Sequence, residues 1–212
     1  MLDFGFFKIM NKNDNSEIDI TLKDFPDNLT SLIKETLDSK NSVKKLAARS
    51  TLVGMGKTIL PKLHRLLNSE NGLLRMEAAK IVELIADRRS IPFLINLLDD
   101  KEFEIRWIAA EGLIKIGRRA ILPLLTSIRD GKSSFILNKG AHHVLLRLLK
   151  ENEKNKLTTL LLSLDDAMEL GETAPVEASE AIKTIFKRKT QTNKTAVVLL
   201  HKGFNYMNLK KS

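Results

Sequence analysis

The stretch Ile105–Leu125 reads IRWIAAEGLIKIGRRAILPLL, and its pattern recurs along the chain at an interval of 31 residues. Pro61, Pro92 and Pro123 share that interval, and the pair Ala109–Ala110 follows two equivalent alanine pairs at the same spacing. Several apolar residues and several basic residues also recur at intervals of 31 residues. One offset shared by so many positions indicates internal structural repeats, which therefore decide the fold class.

Each repeat has the pattern of two helices joined by a short turn. The alanine pair of the first helix suits a close approach by a neighbouring helix, and Gly117 suits a left-handed C-terminal cap. The proline then falls in the first turn of the second helix, where its missing N–H costs little. Leucines follow at steps of three and four residues, which places them on one helix face. The sequence therefore predicts an all-α repeat protein.

These residues resemble the HEAT-repeat family in its short form of about 30 residues, which also occurs in phycobilisome-lyase-type proteins. The resemblance covers Ser42–Asp130, and it is nearly complete in Ile105–Leu125. It implies a right-handed α-α superhelix, a HEAT/armadillo-like solenoid of about five helix pairs. It implies little about function, because this architecture serves many roles.

The predicted solenoid covers residues 28–182 and has degenerate ends, because terminal repeats must present a polar outer face. Residues 1–27 are expected to form an irregular N-terminal segment, and residues 183–212 a basic C-terminal helix or tail. The clear repeats are predicted at 42–72, 73–103 and 104–134.

Composition limits the class of protein. Hydrophobic residues make up 43 % and charged residues 29 % of the 212 residues, which are values of a globular domain. Cysteine is absent, which excludes disulfides, cysteine-ligated zinc and thiol catalysis. The apolar start Met1–Met10 is too short for a signal peptide, and no stretch is long enough to span a membrane. A cytoplasmic protein is expected.

No residue pattern predicts an enzyme. The sequence lacks the nucleophile-elbow, phosphate-loop, dinucleotide-binding and zinc-protease motifs. His142 and His143 are adjacent, so on a helix they diverge by about 100° and cannot easily share a metal ion. We therefore expect no catalytic residues, no metal site and no cofactor.

Charge is unevenly distributed. The formal net charge is +9, but eight basic residues and no acidic residue follow Ile182, which leaves the preceding body almost neutral. The first four of the eight are Lys183, Lys187, Arg188 and Lys189. Such a tail could dock on nucleic-acid phosphates or an anionic membrane surface. It could equally fold against the acidic segment before it or remain solvated.

A second basic feature lies in the turns between paired helices, and stacking of the repeats should align these turns on one edge. Cations there could simply be favoured by the helix macrodipole, or the edge could meet an acidic partner. This basic edge consists of Lys57, Arg88, Arg89, Arg118 and Arg119.

Trp107 is the single tryptophan, and its repeat equivalents are Met76 and a lysine. A position that accepts lysine is not typical of deep core, so Trp107 beside Met76 could mark a contact surface. Packing against the neighbouring repeat is the alternative. By resemblance to the family, the second helices line the concave side of the solenoid. Their candidate partner-binding residues are Lys62, Arg65, Asn96 and Ser127.

The predicted function is a non-catalytic protein–protein interaction or scaffold module with a protein partner. The predicted concave surface is mixed in charge, which suits a polypeptide better than a duplex, since DNA binding requires a coherent basic strip. Binding of nucleic acid or an anionic membrane surface through the tail is one alternative. A HEAT-like DNA glycosylase is a further form of that alternative, but its chemistry needs aromatic and acidic residues in a basic concave groove, and the single tryptophan and neutral predicted groove argue against it. An accessory factor of the chromophore-lyase type is suggested by the repeat type alone.

Overall fold

The computed structural model describes residues 13–38, 40–131, 134–166 and 173–186. These residues form twelve α-helices and no strand, which confirms the all-α prediction. The helices are α1 (Asn13–Leu22), α2 (Asp27–Leu37), α3 (Ser42–Gly54), α4 (Leu60–Leu66), α5 (Gly72–Ile85), α6 (Ile91–Leu97), α7 (Phe103–Ile116), α8 (Ile121–Arg129), α9 (Phe135–Leu148), α10 (Glu151–Lys154), α11 (Thr158–Asp165) and α12 (Thr173–Phe186). Every helix in these ranges is too short or too polar to cross a bilayer.

The helices stack as a repeat solenoid. The first helices of successive repeats, α3, α5, α7 and α9, pack side by side. The second helices, α4, α6, α8 and α11, follow them in the chain, and α4 packs on α5 as α6 packs on α7. Pro61, Pro92 and Pro123 all fall in first turns of second helices, as the sequence predicts. Short 3₁₀ turns at Gly56–Ile59, Arg88–Ser90 and Arg118–Ala120 join the pairs.

Side chains and special backbone conformations set the ends of the first helices. Asn41, Asn71 and Ser134 each accept a hydrogen bond from a backbone N–H of the first turn, as N-cap residues do. At the other end, Gly117 has φ +85° and the equivalent Ala86 has φ +51°. Ala86, with ψ +41°, has the left-handed helical conformation of such a cap, although its Cβ makes that conformation less favourable. Gly117, with ψ −156°, has positive φ but lies outside the left-handed helical region, so the left-handed cap predicted at this glycine does not form there.

Leucine, isoleucine and alanine build one continuous core between the two helix layers. Leu94, Leu113 and Leu124 are fully buried, and burial of such a side chain contributes about 1.5–3 kcal/mol. The alanine pairs of α5 and α7 are also buried, so these helices pack together at the positions where the sequence predicts a close approach.

The two ends depart from a regular repeat. Helix α1 lies within residues 1–27, which were expected to be irregular; Ile18 and Leu22, four residues apart, are enough to give it one buried face. Helix α2 packs on α3 and α5, as the second helix of an N-terminal capping repeat would. Helix α12 turns back to pack on α8 as well as on α11, so it lies among the second helices.

Candidate partner-binding groove

A groove of about 330 Å³ lies between the first helices α7 and α9. The defining residues of this α7–α9 groove are Leu98, Phe103, Trp107, Phe135 and Gly140, and it is open to solvent on the outer side of the first-helix layer. Because α7 and α9 belong to successive repeats, the groove follows directly from the stacking of repeats. The residues that shape the groove, however, differ from those at the equivalent positions of the other repeats.

Small residues allow the groove to be deep. Ala110 and Gly140 form its floor together with Leu98, which is fully buried at the end of α6. A Cβ atom placed on Gly140 would lie 3.0 Å from Cδ2 of Leu98, which is closer than ordinary van der Waals contact. Glycine in the middle of a helix costs about 0.5–1 kcal/mol relative to alanine. Its presence in α9 is explained by this close approach.

Aromatic side chains form the walls. The rings of Phe103 and Trp107, one turn apart on α7, stack with their centroids 6.5 Å apart, and the Trp107 ring lies 5.1 Å from that of His143 on α9. Phe103 is 62 % exposed, Trp107 is 50 % exposed and Phe135 is 46 % exposed. Three large rings are thus only partly covered around a buried floor, an arrangement typical of a binding surface.

Two cations lie over the groove's phenylalanines. The guanidinium of Arg106 lies 5.5 Å from the ring centre of Phe103, and its Nη1 donates to the carbonyl oxygens of Asp100 and Lys101. Lys139 Nζ lies 5.4 Å from the ring centre of Phe135 and 2.7 Å from Asp165 Oδ1. Hydrogen bonding from Lys139 lowers the pKa of the Asp165 carboxyl. These contacts hold the Arg106 and Lys139 side chains at the groove's rim.

Two histidines on α9 lie close to the groove. His143 Nε2 is 3.2 Å from Glu111 Oε1, which holds its ring against Trp107. Burial lowers the pKa of His142, which lies 3.7 Å from Asp165 and outside the groove lining. Among the described residues, no cluster of three or more histidines and carboxylates could hold a metal ion. The groove's chemistry is therefore that of apolar contact with a cationic rim.

The structure separates the predicted partner-binding residues into two surfaces. Trp107 lines the α7–α9 groove, whereas Met76 is half-buried against the core and does not line it. The second-helix residues lie in the other layer. Lys62 and Arg65 lie over the ring of Phe25, with 5.5 and 5.2 Å to its centre.

The remaining predicted second-helix positions differ in accessibility. Asn96 on α6 is exposed. Ser127 is half-buried on α8, the helix against which α12 packs. Their contribution to binding a partner therefore remains a prediction.

The basic-edge residues lie together, but several already have acidic partners. Arg118 forms a forked pair with Glu153, with N–O distances of 2.7 and 2.8 Å, which raises the pKa of Arg118 and lowers that of Glu153. Arg89 and Lys57 lie 2.9 and 3.6 Å from the Asp87 carboxylate. Hydrogen bonds from Arg89 lower the pKa of Asp87 to about 2.

The described residues include only the beginning of the predicted basic tail. Lys183 lies on α12 and pairs with Glu180 one turn earlier. Lys187, Arg188 and Lys189 lie outside the described residues. The predictions for nucleic-acid or membrane binding through the tail therefore rest on sequence alone.

Trp107, a residue singled out from the sequence, lines the groove, but the other half of the lining was not predicted: it comes from Phe135, Ile136, Lys139 and Gly140 of α9. One signal was present: Gly140 replaces the first alanine of the pair found in earlier repeats. A second was the aromatic residue that begins both α7 and α9.

Comparison with known proteins agrees with the helix stacking described above. The family model for HEAT repeats matches residues 27–114 and again 59–145, which together cover more than half of the chain. No curated protein and no solved structure matches the chain. HEAT repeats generally mediate protein interactions or scaffolding and are typically non-catalytic. By its repeats, its helix stacking and this match, the chain belongs to the HEAT-repeat family.

Proposed function

We propose that this protein is a non-catalytic interaction module that binds a partner polypeptide in the α7–α9 groove. The observation that carries the proposal is the set of three partly exposed rings, Phe103, Trp107 and Phe135, around the buried floor at Leu98. Such rings supply most of the binding energy in protein interfaces when a partner covers them.

Burial of the three rings by a partner can supply enough binding free energy for a specific interaction. Covering a large apolar side chain contributes about 1.5–3 kcal/mol when it is fully buried, and the three rings are each about half exposed. Their positions are fixed by mutual stacking and by Arg106 and Lys139, so little side-chain entropy is lost on binding. The groove is therefore preorganised for an apolar segment.

The same contacts favour a polypeptide over a nucleic acid. Of the residues that the structure describes, two lysine or arginine side chains line the groove: Arg106 donates to backbone carbonyls, and Lys139 pairs with Asp165. Affinity for DNA depends on many neutralised phosphates, which two engaged cations cannot provide. We therefore assign to the groove a partner segment with apolar anchor residues.

The experiment is a quantitative pull-down from the source cells with the tagged full-length protein. A groove variant, Trp107→Ala with Phe135→Ala, is compared with a matched control, Val43→Ala with Leu46→Ala. The control also removes two exposed apolar side chains, but these lie on α3, two repeats away. Each sample is treated with nuclease or left untreated.

Proteins retained by the parent and by the control, lost by the groove variant and insensitive to nuclease would support the proposal. Retention by all three forms, or retention that nuclease abolishes, would contradict it. Once a partner is purified, the emission of Trp107 gives a direct measurement, because it is the chain's single tryptophan. Its emission should shift to shorter wavelength as the partner excludes water from the ring.

A further inference from the structure

A second surface depression lies on the edge formed by the turns between paired helices. It has a volume of about 530 Å³. Basic and apolar side chains line it, and they come from α6, α8 and α12 and from the 3₁₀ turns Arg88–Ser90 and Arg118–Ala120. The residues that define this arginine cleft are Arg88, Arg89, Arg118, Arg119, Leu122 and Phe186.

The four arginines differ in what they contact. Arg89 is held by Asp87, and Arg118 is held by Glu153 and by the carbonyl oxygen of Leu148. Arg88 and Arg119 are both exposed, and neither side chain has a hydrogen-bond or ion-pair partner among the described residues. Two guanidinium groups of the cleft are therefore available to a ligand.

The two available arginines occupy equivalent positions of successive repeats, 31 residues apart in the sequence. Neighbouring helices pack about 8–10 Å apart, so their Cα atoms are separated by roughly that distance. The other two arginines also belong to the cleft: Asp87 holds Arg89 and Glu153 holds Arg118 next to the two available arginines. The cleft thus presents two arginines held by carboxylates beside two arginines whose guanidinium groups are available.

Apolar surface lies within the same cleft. Leu122 is 40 % exposed at the start of α8, and Phe186 is half-buried at the end of α12. A purely electrostatic site for phosphates would not need an apolar wall between its cations. Guanidinium groups form forked hydrogen bonds with carboxylates, and an apolar wall beside them suits a neighbouring aliphatic side chain.

We propose that the arginine cleft binds an acidic segment of a protein partner. Two of its carboxylates, about 10 Å apart, pair with Arg88 and Arg119, and an apolar residue between them packs on Leu122 and Phe186. In a peptide of polyproline II conformation, residues three apart lie on the same face and are separated by about 9 Å, so the pattern Glu-Leu-Leu-Glu meets this spacing. The cleft is separate from the α7–α9 groove, so the inference goes beyond the function proposed above.

The test uses fluorescence anisotropy with full-length protein and a fluorescein-labelled peptide of repeated Glu-Leu-Leu units. The cleft variant is Arg88→Ala with Arg119→Ala. The charge-matched control is Lys44→Ala with Lys101→Ala, two exposed cations near the N-terminal ends of first helices, away from the cleft. Circular dichroism confirms that each variant is folded. A peptide with Gln in place of Glu measures binding without carboxylates.

We expect the cleft variant to bind the acidic peptide at least about tenfold more weakly than the parent, and the control to bind within about twofold of it. The conservative variant Arg88→Lys with Arg119→Lys should recover only part of the affinity, because lysine lacks the fork. The groove variant Trp107→Ala with Phe135→Ala should bind this peptide like the parent, which separates this proposal from the previous one.

Three outcomes would overturn the proposal. The parent could fail to bind the peptide at low salt, or the control variant could lose as much affinity as the cleft variant. A single-stranded DNA of equal charge could also bind more tightly than the peptide and depend on the same arginines. That last result would assign the cleft to phosphates and not to a protein segment.

Discussion

Leu98 lies directly beneath Gly140, so that a Cβ atom on Gly140 would approach Leu98 Cδ2 to 3.0 Å. Leu98 is fully buried and cannot move away freely. Helix α9 can therefore cross the end of α6 at this distance only because residue 140, a glycine, has no side chain. The depth of the α7–α9 groove depends on this one contact.

We expect Gly140→Leu to destabilise the protein by about 1–3 kcal/mol, because the new side chain would overpack the contact with Leu98. Gly140→Ala is the matched control: its gain in helix propensity, about 1 kcal/mol, offsets part of the strain. Urea unfolding followed by circular dichroism measures both. Equal stability of Gly140→Leu and the parent would show that α9 does not pack this closely.

Trp107→Ala should have a small effect on stability, below about 2 kcal/mol, because half of the side chain is already in solvent. Leu113→Ala, on the same helix but fully buried, should cost about 2–5 kcal/mol. Thermal or urea unfolding of the two variants compares a half-exposed side chain with a fully buried one. A loss at Trp107 as large as that at Leu113 would contradict its place at the groove.

Asp87 should make the protein more stable at neutral pH than in acid. Its folded pKa of about 2 lies below the ordinary value of 3.8, so its contribution is present above about pH 4 and is lost as the pH falls through about 2. Asp87→Asn should therefore cost about 1 kcal/mol near neutrality and almost nothing near pH 2, after allowance for solvent screening of the surface cations. Asparagine can still accept the hydrogen bond from the Arg89 backbone N–H, so the comparison isolates the charge. A pH-independent difference in urea unfolding would contradict the assignment.

Any binding to duplex DNA or anionic vesicles should reside in the residues after α12, because they hold most of the excess positive charge. A chain ending at Phe186 keeps α12 complete, whereas a cut at Ile182 would remove Ile185 and Phe186, which pack on the core. Binding of the full chain should weaken steeply with salt, and the shorter chain should bind weakly at every salt concentration. Equal binding by both chains would point to the arginines of the turn edge.

The repeat interval predicts most of the fold, because proline, alanine and leucine at fixed positions specify the same helix pair three times. The groove is harder to predict. Trp107 is recognisable from its own repeat, but the groove's depth depends on how closely α9 approaches the end of α6, and this distance is set by the pair Leu98 and Gly140. The packing of α12 on α8 is also absent from the sequence pattern, since it joins segments that share no register.

That contact between α12 and α8 affects how the protein should fold. In a simple solenoid each unit touches only its neighbours, so terminal units can open one at a time. Here α12, the last of the described helices, packs on α8 of the repeat before α9 as well as on α11, which closes a loop of chain around α9, α10 and α11. Those three helices can then separate from the stack only after α12 has detached from α8. Amide hydrogens of α9 and α11 should therefore exchange together with those of α12, as one cooperative unit and not as a fraying end.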